Sequence, residues 1–164
     1  MRLSHHLPAI LIIALVQTVM IADDIQDESR SIEKIELFGG KVTRDDTVPD
    51  RPVIEVSIIG SKRFTDKHLH LLKSFPRLTT LTLQDIEFTD VGLTELNELQ
   101  NLTTLHLHGA EINDDRLVEL NQLKNLRTLT LSRTRVTDSG LTELNNLKSL
   151  EKLDLISDGS VTEL

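Results

Sequence analysis

Leucine pairs recur along this chain at a fixed period: Leu81/Leu83, Leu105/Leu107, Leu129/Leu131 and Leu153/Leu155 lie 24 residues apart, each pair followed by a polar turn. A unit of that length holds one short alternating strand and a turn or two of helix. It cannot bury its own apolar face, so copies must stack side by side into a solenoid. The expected class is therefore α/β, with short parallel strands on one face and short helices on the other. The core must be aliphatic, because Phe38, Phe64, Phe75 and Phe88 are the only aromatic residues and the chain has no Trp or Tyr. Large aromatic binding anchors are absent for the same reason.

Three segments are expected. Residues 1–22 have the order of an export signal: Arg2, an apolar run from Leu7 to Val16, and a more polar stretch ending in Ala22 before Asp23-Asp24. The apolar run is short for the ~20 residues of a spanning helix, which points to cleavage, no membrane attachment afterwards, and a secreted, periplasmic or cell-envelope location. Residues 23–52 form an N-terminal cap. An amphipathic helix carries Ile25, Ile32, Ile35 and Phe38 and stops at Gly39-Gly40, and a short strand follows near Lys41 to Arg44. Residues 53–164 hold about 4.5 repeats, with Val56 and Ile58 as the inward positions of the first strand. The spacing from Val56 to Leu81 is 25 because one residue is inserted before Phe64, and another extra residue stands before Val161. No polar C-terminal cap follows Leu155, so the last strand is expected to be an adhesive edge, which a truncated gene product, a self-associating edge or a frayed last repeat would each account for.

Within each repeat the order is Leu-x-x-Leu-x-Leu, a turn, a Thr-Asp or Asn-Asp pair, and a helix. Asp66, Asp90, Asp114 and Asp138 are expected to be N-caps. Leu93/Leu96, Leu117/Leu120 and Leu141/Leu144 face inward. The segments Leu78 to Gly92, Leu102 to Asp114 and Leu126 to Gly140 resemble the leucine-rich repeat family. The variants Thr89-Asp90-Val91-Gly92-Leu93 and Thr137-Asp138-Ser139-Gly140-Leu141 are similar to the short repeats of secreted bacterial leucine-rich proteins. The resemblance covers roughly residues 53–164 and implies a binding solenoid. The family's loop asparagines fall here on Ile86, Ala110 and Thr134, so the backbone must be satisfied by other groups.

Strand alternation assigns the concave face: Thr80, Thr82 and Gln84; Thr104, His106 and His108; Thr128, Thr130 and Ser132; then Lys152, Asp154 and Ile156. This hydroxyl-rich, nearly neutral surface is the expected binding site, for a protein first and a glycan or envelope polymer second. His106 and His108 share a face at a spacing that two metal ligands could use. The neighbouring strands supply only Thr82, Gln84, Thr130 and Ser132, so no metal and no cofactor is expected. Arg63, Glu87, Glu111 and Arg135 form a column beside the strands with charges in the order plus, minus, minus, plus, expected to be exposed ladder pairs, and Glu95, Glu119 and Glu143 an acidic convex stripe expected to be solvated. A net charge of -8 argues against a phosphate-backbone partner, so nucleic acid is set aside. The chain has no Cys, no nucleophile elbow and no Gly-rich phosphate loop after a strand, and catalysis is not expected.

Overall fold

The computed structural model describes residues 27–86, 88, 92–109 and 112–156. Helix α1 spans residues 27–37. Six strands follow, β1 Lys41–Arg44, β2 Val53–Ile59, β3 Thr80–Gln84, β4 Thr104–His108, β5 Thr128–Ser132 and β6 Lys152–Ile156, and they lie side by side in chain order. β1 is antiparallel to β2, and every later neighbour is parallel, as a one-directional coil demands. The parallel register sets Val56, Leu81, Leu105, Leu129 and Leu153 in one row and Ile58, Leu83, Leu107, Leu131 and Leu155 in the next. The inserted residue is thus absorbed in the loop between β2 and β3 without shifting the sheet.

Opposite the sheet run short helical turns: a 3-10 helix Asp66–Ser74, α2 Gly92–Leu96, α3 Asp114–Leu117 continued as 3-10 Val118–Gln122, and α4 Asp138–Glu143 continued as 3-10 Leu144–Asn146. These turns are too short to stand alone. They are held by the core between the two layers, where Leu81, Leu83, Leu96, Leu105, Leu107, Leu117 and Leu120 are wholly buried.

The cap closes the first repeat as expected. Ile35 is fully buried, Ile32 and Phe38 pack against the core, and Ile25 lies outside the described residues. Phe38 meets the Phe64 ring edge-on at 6.0 Å and stacks near His68 at 4.5 Å. A chain of hydrogen bonds runs from Ser31 Oγ to Ser74 Oγ at 2.9 Å and on to Asp27 at 3.0 Å, and Arg44 pairs with Glu28 at 2.7 Å. At Gly39 the backbone enters the left-handed region (φ 83°), which Gly occupies without strain.

The expected N-caps move by one residue. The extended cap positions are Thr65, Asn113 and Thr137, and Asp66, Asp114 and Asp138 are the first helical residues; Asp90 lies outside the described residues. Asn113 Oδ1 accepts from Arg116 N–H at 3.2 Å, and His68 Nδ1 accepts from Thr65 N–H at 3.0 Å. The Asp114 carboxylate instead links two repeats. Asp114 accepts from Thr137 N–H at 2.7 Å and Thr137 Oγ1 at 2.6 Å, which holds its carboxyl below the usual range. Gly140 sits against that carboxylate and Gly92 against buried Asp66. A Cβ at either position would fall 2.2 Å from the aspartate side chain, and this explains the Thr-Asp-x-Gly spacing.

The loop asparagines are replaced by a different ladder on the other edge of the coil. Asn101 Nδ2 donates to Pro76 O at 2.7 Å and Asn125 Nδ2 to Gln100 O at 2.8 Å. Thr79 Oγ1 donates to Ile54 O at 3.1 Å and Thr103 Oγ1 to Thr79 O at 3.2 Å. After each strand a left-handed residue, Gly60, Asp85, Gly109 or Arg133, donates its N–H to the next strand's last carbonyl. The turns are thereby satisfied repeat to repeat.

Candidate concave-face binding surface

The register turns the polar positions of the strands into three rows across the face opposite the helices. The first row is Glu55, Thr80, Thr104, Thr128 and Lys152. The second is Ser57, Thr82, His106, Thr130 and Asp154. The third is Ile59, Gln84, His108, Ser132 and Ile156. Every predicted face residue is therefore brought together. Glu55, Ser57 and Ile59 also belong to the face, although the sequence reading did not include them. Their signal was available, since Val56 and Ile58 point inward and their neighbours must point out.

On β3 to β5 the face side chains are half-buried by one another, with one exception. Ser132 is only 2% exposed, and its hydroxyl has no hydrogen-bond partner among the described residues. It stands in the third row but offers almost no surface. In the second row His106 Nδ1 and Thr130 Oγ1 share a hydrogen bond of 2.9 Å, which fixes the ring across the strand gap. Gln84 Nε2 reaches Asp85 Oδ2 at 3.3 Å, anchoring one end of the third row. Asp154 pairs with Lys152 along the same strand at 2.7 Å. The central three strands thus present hydroxyl, amide and imidazole groups with no fixed charge, and formal charge appears only on β2 and β6. Such a surface forms many short hydrogen bonds without desolvating an ion, and desolvation is the larger cost at a charged interface. Ile59 and Ile156, 57% and 60% exposed, close the third row with apolar ends.

No group of three metal-ligating side chains converges among the described residues. Beside His106 and His108 the register sets only Thr82, Gln84, Thr130 and Ser132. On the convex side Glu95 and Glu119 are more enclosed than the expected solvated stripe. Glu95 meets Lys73 Nζ at 3.0 Å, which raises the Lys73 ammonium pKa, and one Glu119 oxygen is enclosed. Of the charge column, Glu87 and Glu111 lie outside the described residues. Arg135 bridges Asn113 through its N–H to Ile112 O at 2.8 Å. A cleft of about 330 Å³ opens on the asparagine-ladder edge between Lys73, Pro76, Glu98 and Asn101, away from the concave rows.

No protein-family model matches the chain, and no curated protein does. Among solved structures, an internalin C2 from Listeria monocytogenes is 28% identical with a TM-score of 0.52, covering 68% of this chain and 45% of that one. An internalin of the same organism is 23% identical with a TM-score of 0.47, covering 58% and 26%. The LRR ectodomain of a receptor kinase from Arabidopsis thaliana is 13% identical with a TM-score of 0.44, covering 82% and 94%. The chain spans less than half the length of either internalin. No helix of the described residues is long and apolar enough to cross a membrane.

Proposed function

Starting from the leucine-rich repeat fold that this chain shares with an internalin C2, we propose that it is an exported, non-catalytic interaction module that binds a protein through its concave face. The observation that carries the reading is the uncharged polar grid on β3, β4 and β5. Its Thr80, Thr82, Gln84, Thr104, His106, His108, Thr128 and Thr130 are held in register by the repeat lattice and only half-buried. Side chains fixed by neighbouring strands lose little freedom on binding, which favours recognition by many modest contacts. Binding sites of this kind are what stacked repeats supply on their concave side.

Capture from secreted and envelope fractions tests the proposal, using the chain from Asp23 beside a variant with His106→Glu and His108→Glu. A protein retained by the parent and lost by the variant supports it. Retention of polysaccharide instead transfers the site to glycan binding through the same hydroxyl rows, and retention of nothing overturns it. Export has its own test. The N-terminus of the protein recovered outside the cytoplasm is expected at Asp23, and an intact Met1 there would refute cleavage.

A further inference from the structure

Three successive repeats close their convex turns in the same way, and the first repeat departs from them. Gln100, Lys124 and Lys148 stand 24 residues apart. Each bends back to the turn it follows: Gln100 Nε2 donates to Asn97 O, Lys124 Nζ to Asn121 O, and Lys148 Nζ to Asn145 O at 2.7 Å. The Gln100 amide also reaches Gln122 O of the next repeat at 3.4 Å, so one NH2 group spans two turns. The same position in the first repeat is Pro76, which has a donor neither on its side chain nor on its backbone. Lys73 O, the equivalent of Asn97 O, therefore receives no such bond, and the cleft of about 330 Å³ opens at this point.

The cleft has the chemistry of a missing side chain. Its floor is apolar, formed by buried Phe75, Leu78 and Leu99. The donors of its wall are already engaged: Lys73 Nζ with Glu95 at 3.0 Å, Asn101 Nδ2 with Pro76 O at 2.7 Å, and Gln100 Nε2 with Asn97 O. One repeat further on, the counterparts of Lys73 O and Glu98 O are Asn97 O and Gln122 O, the two carbonyls that the Gln100 amide spans. An occupant must therefore bring two N–H donors on a stem that can lie over Phe75 and Leu99. A primary amide does so without charge. A carboxylate would bring only acceptors, and to the side of Glu98. An ammonium fits the later repeats, where the residue at the turn is the neutral Asn121 or Asn145, but here it would stand beside the Lys73 ammonium.

We infer that this cleft is a second binding site, taking a glutamine side chain of a partner polypeptide in the space that Pro76 leaves open. It is independent of what the concave rows bind. The probe is the end-blocked peptide Ala-Ala-Gln-Ala-Ala, titrated into the full chain and followed by backbone amide NMR shifts, beside peptides with Glu, Lys or Ala at the centre. Saturable shifts at Phe75, Leu99 and Gln100 are expected with the Gln peptide, at an affinity about tenfold above the other three, the worth of two modest hydrogen bonds. Pro76→Gln supplies the amide from within the chain and should abolish binding, while Pro76→Ala removes the ring without filling the cleft and should keep it. Circular dichroism identifies a variant that fails to fold, and Pro76→Lys, with the side chain of the later repeats, then replaces Pro76→Gln with the same loss expected. No saturable shift, equal affinity for the Glu, Lys or Ala peptide, binding that survives Pro76→Gln, or binding lost in folded Pro76→Ala overturns the inference. His106→Glu should leave the titration unchanged, which separates this cleft from the binding face.

Discussion

The link between Asp114 and Gly140 can be tested as a double-mutant cycle, because one atom of space is claimed by two residues of successive repeats. Asp114→Ala removes the acceptor for Thr137 N–H and Thr137 Oγ1, bonded at 2.7 and 2.6 Å. Each bond to a charged group is worth about 1.5–3 kcal/mol when shielded. Thr137 is exposed, so water competes and the pair together is worth about 1–2 kcal/mol. Gly140→Ala gains about 0.8–1 kcal/mol of helix propensity. Its Cβ, however, would lie 2.2 Å from Asp114 Oδ1 and 2.6 Å from Cγ, so the carboxylate must leave and its bonds are lost with it. The Asp114 Cα at 3.0 Å adds a backbone shift of a few tenths of an ångström in either background. Once Asp114 is Ala, the carboxylate has nothing left to lose. The double variant should then be more stable than the sum of the singles by about 1–2 kcal/mol in urea unfolding. Additivity within about 0.5 kcal/mol would refute the shared space. A pH series gives a second reading. The Asp114 carboxyl is held below its ordinary value, chiefly by Thr137. Its contribution is therefore complete above the ordinary carboxylate range and is lost as pH falls through the lowered value, so the Asp114→Ala penalty should shrink below about pH 4.

Four further outcomes follow from the same lattice. Arg133 holds φ 51° without being Gly, so Arg133→Gly should raise stability by about 0.5–1 kcal/mol after the entropy of the unfolded chain is counted. Gly109→Ala, at φ 65° with its Cβ 2.3 Å from Asp85 Oδ1, should lose more than about 1 kcal/mol; thermal melts check both. Leu107→Ala removes a side chain that is 0% exposed and should cost about 2–5 kcal/mol, whereas Leu153→Ala, starting from 36% exposure, should cost clearly less. Asn125→Ala breaks one rung of the amide ladder to Gln100 O and should lose about 0.5–1.5 kcal/mol in the same unfolding assay.

The strands were legible because the chain states each of them several times. Val53 to Ile59 and the Leu pairs at period 24 place β2 to β6 directly, since a single ambiguous apolar run becomes certain when its copies fall in phase. The aspartates were harder. An Asp just before a helix is the same letter whether it caps its own first turn or ties the next repeat, and sequence spacing alone favoured the cap. The distinguishing signal was the glycine of the following repeat: Gly92 lies against Asp66 and Gly140 against Asp114. Small residues at those two sites mark side chains arriving from the previous repeat. The missing loop asparagines likewise concealed a ladder on the opposite edge, where Asn101 and Asn125 recur at the same 24-residue interval and carry the satisfaction expected elsewhere.

The binding face is less legible for the reason that makes it a face. A position that packs against its own copy in the next repeat is constrained to repeat, as Leu81, Leu105 and Leu129 do. A position that meets solvent or a partner is released from that constraint. The face triads are Thr-Thr-Gln, Thr-His-His and Thr-Thr-Ser on successive strands, so the first row repeats and the second and third diverge. Thr80, Thr104 and Thr128 repeat because hydroxyls on β-branched side chains suit adjacent parallel strands whatever is bound. His106 and His108 break the pattern on the central strand. His106 also reaches across to Thr130, which orders the middle of the face at the point where the repeats differ most. Divergence laid on a rigid, repeating scaffold is where selectivity can be written without disturbing the fold. Exchanging the β4 triad for the Thr-Thr-Gln of β3 should therefore leave stability within about 0.5 kcal/mol while removing the captured partner, and a partner retained after that exchange would place recognition outside the two histidines.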